Sequence, residues 1–243
     1  MSGMPDADLE RREPWGWLRR WLAGWWFYVT ARFLFRLYAK VVHGLRTYGR
    51  ERVPREGGLV VAVNHFSTLD PPMMGVTIPR EISFMAKREL FERPPVRAFV
   101  EGLHAFPVDR ERSDLAAIKE ASRRLKAGRA VGVFVQGTRD SADAEALDGA
   151  AFLAQRAGVP LQPAAVWREG RRYVVAYGEP FTVPGRGKVA MREGTRETVA
   201  RINALLPSST HMLAPPPLAV EGGGDAPTPP DSAPASAAQE TPS

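Results

Sequence analysis

Between residue 47 and about residue 207, short apolar runs alternate with stretches whose apolar positions recur three and four apart. Five of the runs read as strands: LVVAV (59–63), ISFMA (82–86), AVGVFV (130–135), LQPAAVW (161–167) and RYVVAYG (172–178). They are short, apolar and bounded by Gly, Pro or polar residues, as strands buried inside a sheet are. SDLAAIKEASRRLKAG (113–128) opens on a Ser cap, keeps helical spacing and stops at a Gly, and AEALDGAAFLAQRAG (144–158) ends the same way. Strands alternating with helices predict an α/β fold with a central, mostly parallel sheet flanked by helices.

The two ends of the chain break this pattern. Residues 15–46 read as one amphipathic helix with Arg32, Arg36 and Lys40 on a single basic stripe. Its longest uncharged run, Trp21 to Ala31, is 11 residues, well short of the roughly 20 that a membrane-spanning helix needs. Trp15, Trp17, Trp21, Trp25, Trp26 and Tyr28 instead suit the headgroup level of a bilayer, where an aromatic body is buried and its polar atom stays wet. The competing reading is an ordinary core-facing helix. Asp6, Asp8, Glu10 and Glu13 spoil the basic start of a signal peptide. From Ala214 onward, Pro, Ala, Gly, Ser and Thr dominate, which predicts a disordered tail. The expected organisation is therefore a membrane-associating segment (1–46), an α/β domain (47–210) and a tail (211–243).

The chain has no cysteine, so disulfides, thiolate metal sites and a cysteine nucleophile are excluded. A net charge of +6 calls for anionic company, which nucleic acid, lipid headgroups or phosphorylated metabolites would all supply.

Candidate chemistry concentrates in AVNHFSTLDPP, Ala62 to Pro72, directly after the first predicted strand. In α/β sheets, active sites gather at the carboxyl ends of strands. Of the four histidines, His65 is the one at such an end with a carboxylate, Asp70, five residues on. On a continuous helix that spacing turns through about 500° and leaves the side chains roughly 140° apart. They can therefore meet only across a bend, which Pro71 is expected to supply by keeping Asp70 out of the α region. An imidazole held by a carboxylate can take a proton from an alcohol near neutral pH. The alternative is structural, with Asp70 an N-cap before Pro71 and His65 a buried, hydrogen-bonded residue. Ser67 is not read as a nucleophile, because no G-x-S-x-G elbow exists.

NHFSTLD resembles the His-x4-Asp motif of the glycerolipid acyltransferases, the 1-acyl-sn-glycerol-3-phosphate (lysophosphatidic acid) acyltransferase family. Further segments match in order. GLHAFPVDR (102–110) looks like the second block, in which Arg110 would bind the acceptor phosphate, and FVQGTRD (134–140) like the third. GVPLQPAAV (158–166) looks like the fourth, with Pro160 as its proline, and GRERVPREGG (49–58) like the approach to the first strand. The likeness covers about residues 49–180. Val135 and Gln136 depart from it, standing where the family usually carries Pro and Glu, and Asp148 stands where a basic residue is common.

The resemblance implies acyl transfer from acyl-CoA or acyl-carrier protein to the free hydroxyl of lysophosphatidic acid, giving phosphatidic acid, with no cofactor and no metal. His65 and Asp70 would be catalytic, and Arg110, Gln136, Gly137, Thr138 and Arg139 would bind the acceptor and its phosphate. Independently of the family, a guanidinium, a hydroxyl and free backbone N–H groups after a strand suit an anion. Lys87, Arg88, Arg93 and Arg97 receive no catalytic role. The expected partner surface is lipid, at the cytoplasmic face of the cell membrane and in peripheral attachment. Nucleic acid is not expected, since no recognition motif or P-loop is present. Glycerol 3-phosphate or another lyso-lipid is the alternative acceptor, and a non-catalytic lipid-binding homologue is the rival from another class.

Overall fold

The computed structural model describes residues 25–108, 115–136, 148–208, 210 and 213–214. Among them, six α-helices flank a seven-stranded sheet. The strands are β1 (Arg46–Tyr48), β2 (Leu59–Val63), β3 (Ile82–Lys87), β4 (Phe106–Val108), β5 (Ala130–Phe134), β6 (Leu161–Glu169) and β7 (Arg172–Tyr177). The helices are α1 (Trp25–His43), α2 (Asp70–Thr77), α3 (Pro94–Gly102), α4 (Leu115–Lys126), α5 (Gly149–Ala157) and α6 (Lys188–Leu205). The sheet order is β1-β7-β6-β2-β5-β3-β4, and every neighbouring pair is parallel except β6 with β7. Those two form a hairpin that turns at Gly170, whose φ of 58° suits a residue without Cβ.

β2 lies at the centre and is buried along its whole length. Its side chains alternate between two cores. Val60 and Ala62 face one core with α4, α5 and α6, while Leu59, Val61 and Val63 face the other with α2 and Ala39 of α1. All five predicted strands are present, with small differences at their ends. The three-residue strands β1 and β4 and the helices α3 and α6 have no counterpart in the sequence reading, and α2 corresponds only to its structural alternative, in which a helix begins at Pro71. Asp148, the departure noted before Gly149, accepts a hydrogen bond from Thr195 Oγ1 (2.7 Å) and faces Arg192 Nε (3.6 Å). It thereby ties the start of α5 to α6.

α1 lies within the expected N-terminal helix; residues 15–24 of that helix, with Trp15, Trp17 and Trp21, fall outside the described residues. No helix among the described residues is long and apolar enough to cross a membrane. The expected basic stripe is only partly a surface feature. Arg32 turns inward and donates to the carbonyls of Ile78 and Arg80 (3.1 Å to the latter), where α2 has just ended, whereas Arg36 and Lys40 are exposed. Tyr28 and Ala39 are buried, but Trp26, Phe33, Leu34, Leu37, Val41 and Val42 are all more than half exposed. This is not the burial of an ordinary core-facing helix. Most of the expected tail also lies outside the described residues.

Candidate active site

The site forms where β2 ends. Asn64 continues the sheet with its side chain: Nδ2 donates to Val166 O (2.8 Å) and Oδ1 accepts from Val166 N (2.8 Å), closing the gap to β6. His65 follows immediately, 5% exposed, with Nδ1 2.6 Å from Oδ2 of the fully buried Asp70. The same Oδ2 accepts the backbone N–H groups of Phe66 (2.8 Å) and Ser67 (2.9 Å). The bend that joins the pair therefore lies before Asp70, in residues 66–69, and is drawn tight by the carboxylate itself. The expected role of Pro71 is corrected by this geometry, because Asp70 is the first residue of α2 and Pro71 sits in the helix's first turn. Asp70 makes no capping bond to α2 either; its Oδ2 is directed backwards, onto His65 and the loop.

Oδ1 of Asp70 accepts the hydroxyl of Tyr173, which reaches across from β7. Burial, and then the neighbouring Asp70 carboxylate, push the Tyr173 phenol far above its ordinary pKa, so it remains a donor. Ser67 Oγ accepts from Leu69 N within the same loop (3.2 Å). Nδ1 of His65 faces an acceptor, so it carries the proton, which leaves Nε2 as the free basic nitrogen. The ring of Phe134 stacks on the imidazole at 4.0 Å, and Phe84 stacks on Phe134 at 5.7 Å. Gly132 makes room for this arrangement, since a Cβ there would meet Phe84 Cε1 at 2.2 Å.

His65 opens into a cavity of about 910 Å³. Tyr28, Leu34 and Tyr38 of α1 form one side of it, Val76 of α2 and Phe84 of β3 another, and Phe99 of α3 a third. Ile82 is level with Leu59 through their shared register with Ala130, so the cavity extends roughly 20 Å below His65 along the sheet. Its wall is apolar apart from a few groups, among them Lys87 near the mouth, which the sequence reading left without a role. A second cavity of about 480 Å³, between α5 and the start of α6, contains none of the candidate residues. Among the described residues no cluster of His, Cys, Asp and Glu could hold a metal ion.

The structure brings together three of the sequence-predicted residues. Gln136, just past β5, accepts the backbone N–H of His65 on Oε1 (2.6 Å), so its side chain supports the loop that carries the imidazole. Arg110, Gly137, Thr138 and Arg139 lie outside the described residues. The sequence reading did not single out Tyr173, and it gave no role to Asn64, Phe134 or Lys87, although it quoted the segments that hold the first two. A Tyr on a strand buried on both faces carries no local signal for a partner 103 residues away.

Residues 44–167 match the family model described as Acyltransferase, and the chain belongs to that family. It is 42% identical over 123 residues to the 1-acyl-sn-glycerol-3-phosphate acyltransferase of Bacillus subtilis, covering 50% of this chain and 62% of the relative. It is 30% identical over 186 residues to the protein of the same name from Streptococcus pneumoniae, covering 74% of this chain and 66% of the relative. The matches thus span somewhat less than two thirds of the length of these relatives. In fold the chain is similar to the crystal structure of the 1-acyl-sn-glycerophosphate (LPA) acyltransferase of Thermotoga maritima, with a TM-score of 0.54, 22% identity, and coverage of 74% of this chain and 87% of that one.

Proposed function

We propose that the chain transfers a fatty acyl group from a thioester donor, acyl-CoA or acyl-carrier protein, to the free hydroxyl of lysophosphatidic acid, yielding phosphatidic acid. The observation that carries this reading is a buried His–Asp pair at the mouth of a long apolar cavity. The cavity suits an acyl chain, and the pair suits deprotonation of an alcohol beside that chain's carbonyl carbon. Nε2 of His65 takes the hydroxyl proton as the oxygen attacks the thioester. The tetrahedral intermediate then collapses, the C–S bond breaks, and the imidazolium returns its proton to the departing thiolate. No acyl-enzyme forms. Asp70 keeps the proton on Nδ1 and offsets the positive charge that the ring acquires. Arg110 and Arg139 anchor the acceptor phosphate, with Lys87 adding a cation at the cavity mouth. A backbone N–H supplied by the Gly137–Arg139 segment stabilises the oxyanion.

The exposed apolar side chains of α1 support attachment to a lipid surface, peripherally and on the cytoplasmic face where thioester donors are found. The test is thiol release from an acyl thioester with lysophosphatidic acid, wild type beside His65→Ala, in detergent or liposomes. Release that requires both acceptor and His65, with phosphatidic acid as product, is the expected result. A folded preparation that acylates neither lysophosphatidic acid, another lyso-lipid nor glycerol 3-phosphate would instead favour a lipid-binding role.

A further inference from the structure

We infer that Tyr173 is a positioning residue for the His65–Asp70 pair, locking the Asp70 carboxylate in the orientation that presents Oδ2 to the imidazole. The inference rests on the acyl-transfer reading for its kinetic consequence, but not for its structural one. Three donors converge on Oδ2: His65 Nδ1, Phe66 N and Ser67 N. All three come from the same short loop, so they fix Oδ2 against that loop and leave Oδ1 without a partner. Oδ1 is tied to a different part of the fold, because Tyr173 stands on β7 and its hydroxyl donates across the core. Asp70 is fully buried. An Oδ1 deprived of Tyr173 would find no water and would tend to rotate toward the loop amides, taking Oδ2 off the imidazole.

The surroundings of Tyr173 fit this role. Its side chain is buried in the core with Val175 and Tyr177, the alternate residues of β7, on the face that packs against α2. Phe66, from the loop itself, stacks on the Tyr173 ring at 5.5 Å, and the Arg168 guanidinium lies 5.9 Å from the ring centre. Four residues along the strand, Tyr177 hydrogen-bonds Thr77 Oγ1 (2.8 Å). One tyrosine thus holds the first residue of α2 and the other its last. Their spacing of about 13 Å on the strand matches the roughly 11 Å length of the helix. Neither tyrosine is part of the cavity wall, so neither touches substrate there. Tyr177 therefore supplies an internal control, since its hydroxyl makes a similar bond to the same helix at the end remote from His65.

The experiment compares Tyr173→Phe with Tyr177→Phe in the full chain in detergent. Kinetics are measured with an acyl thioester and lysophosphatidic acid, and imidazole ¹⁵N shifts by NMR, with the His65 signals assigned by their loss in His65→Gln. For Tyr173→Phe, kcat is expected to fall about tenfold or more, the effect of one charge-assisted bond, with KM for both substrates within about twofold of wild type. The His65 ¹⁵N shifts should also move from those of a pure Nδ1–H tautomer toward a mixture. Tyr177→Phe should lower Tm while leaving kcat and the His65 shifts as in wild type. Unchanged His65 shifts in Tyr173→Phe, an equal loss of kcat in the two variants, or a Tyr173→Phe chain that alone fails to fold would each overturn the proposal. If wild type transfers no acyl group, the acyl-transfer reading fails, yet the shifts still decide whether Tyr173 orients the pair.

Discussion

Gln136 carries an amide where the resemblance leads one to expect a carboxylate, and its contact in the site is made through an oxygen that either side chain would possess. Oε1 accepts the backbone N–H of His65 at 2.6 Å. Leaving that N–H of the buried His65 without an acceptor costs about 1–3 kcal/mol, whereas exchanging amide for carboxylate keeps the bond. Gln136→Glu is therefore expected to retain kcat/KM for acyl transfer within about threefold, and Gln136→Leu to lose about tenfold or more. Steady-state kinetics on the two variants checks this, and a Gln136→Leu enzyme as fast as wild type would remove the loop-supporting role. The residue itself was legible from the motif. Its contact was not, because a spacing of 71 residues between Gln136 and His65 becomes a neighbourhood only through the pairing of β2 with β5.

At the scale of elements, legibility followed length and period. The five strands of five to nine residues produce apolar runs that stand out, while β1 and β4, three residues each, are too short to show any period. α2 shows little helical period because it opens Asp-Pro-Pro and contains Gly75, and tertiary contacts rather than propensity hold it. Gly75 borders the cavity, and a Cβ there would have nothing within 4 Å. Gly75→Leu should accordingly improve helix propensity by up to about 1 kcal/mol while projecting a side chain into the cavity. The expected outcome is an unchanged or higher Tm together with a shift of donor preference from long to medium acyl chains. A preserved long-chain preference would mean that the acyl chain lies elsewhere.

α4 offers a pH test. Hydrogen bonds from Arg123, opposed by some desolvation and aided by Arg124, hold the Glu120 carboxyl down to about 2 from 4.5. Arg124 in turn reaches Ser83 Oγ (2.7 Å) and His104 O (2.6 Å), so the cluster joins α4 to β3 and to the turn before β4. A carboxyl depressed by folding adds stability in full above its unfolded value, and that stability is lost as pH falls through the folded one. The cluster is partly solvated, so its contribution is modest. Glu120→Gln should lower Tm at neutral pH, and its gap from wild type should close between about pH 4.5 and about pH 2. A gap independent of pH would assign the loss to packing.

For the molecule as a whole, the question is what covers α1. The helix is anchored from beneath by Arg32 and Tyr28, and it borders the apolar cavity through Leu34 and Tyr38. Phe33, Leu37 and Val41 nevertheless point away from the protein, 66%, 53% and 73% exposed. A lipid surface would bury these side chains and bring the cavity to the place where acyl chains reside, so attachment and catalysis would share one element. For that reason, deleting residues 1–46 is a poor test, since it strips one wall of the cavity along with the membrane contact. Phe33→Glu with Leu37→Glu alters only the exposed side. Each side chain withdrawn from lipid loses about 1.5–3 kcal/mol, so liposome binding should weaken by about 100-fold or more. Activity toward a short-chain, detergent-dispersed donor and acceptor should survive. Sedimentation with anionic liposomes, read beside that assay, separates the outcomes. Loss of binding with retained chemistry makes α1 a membrane-facing element, and unchanged sedimentation would transfer that role to other parts of the chain.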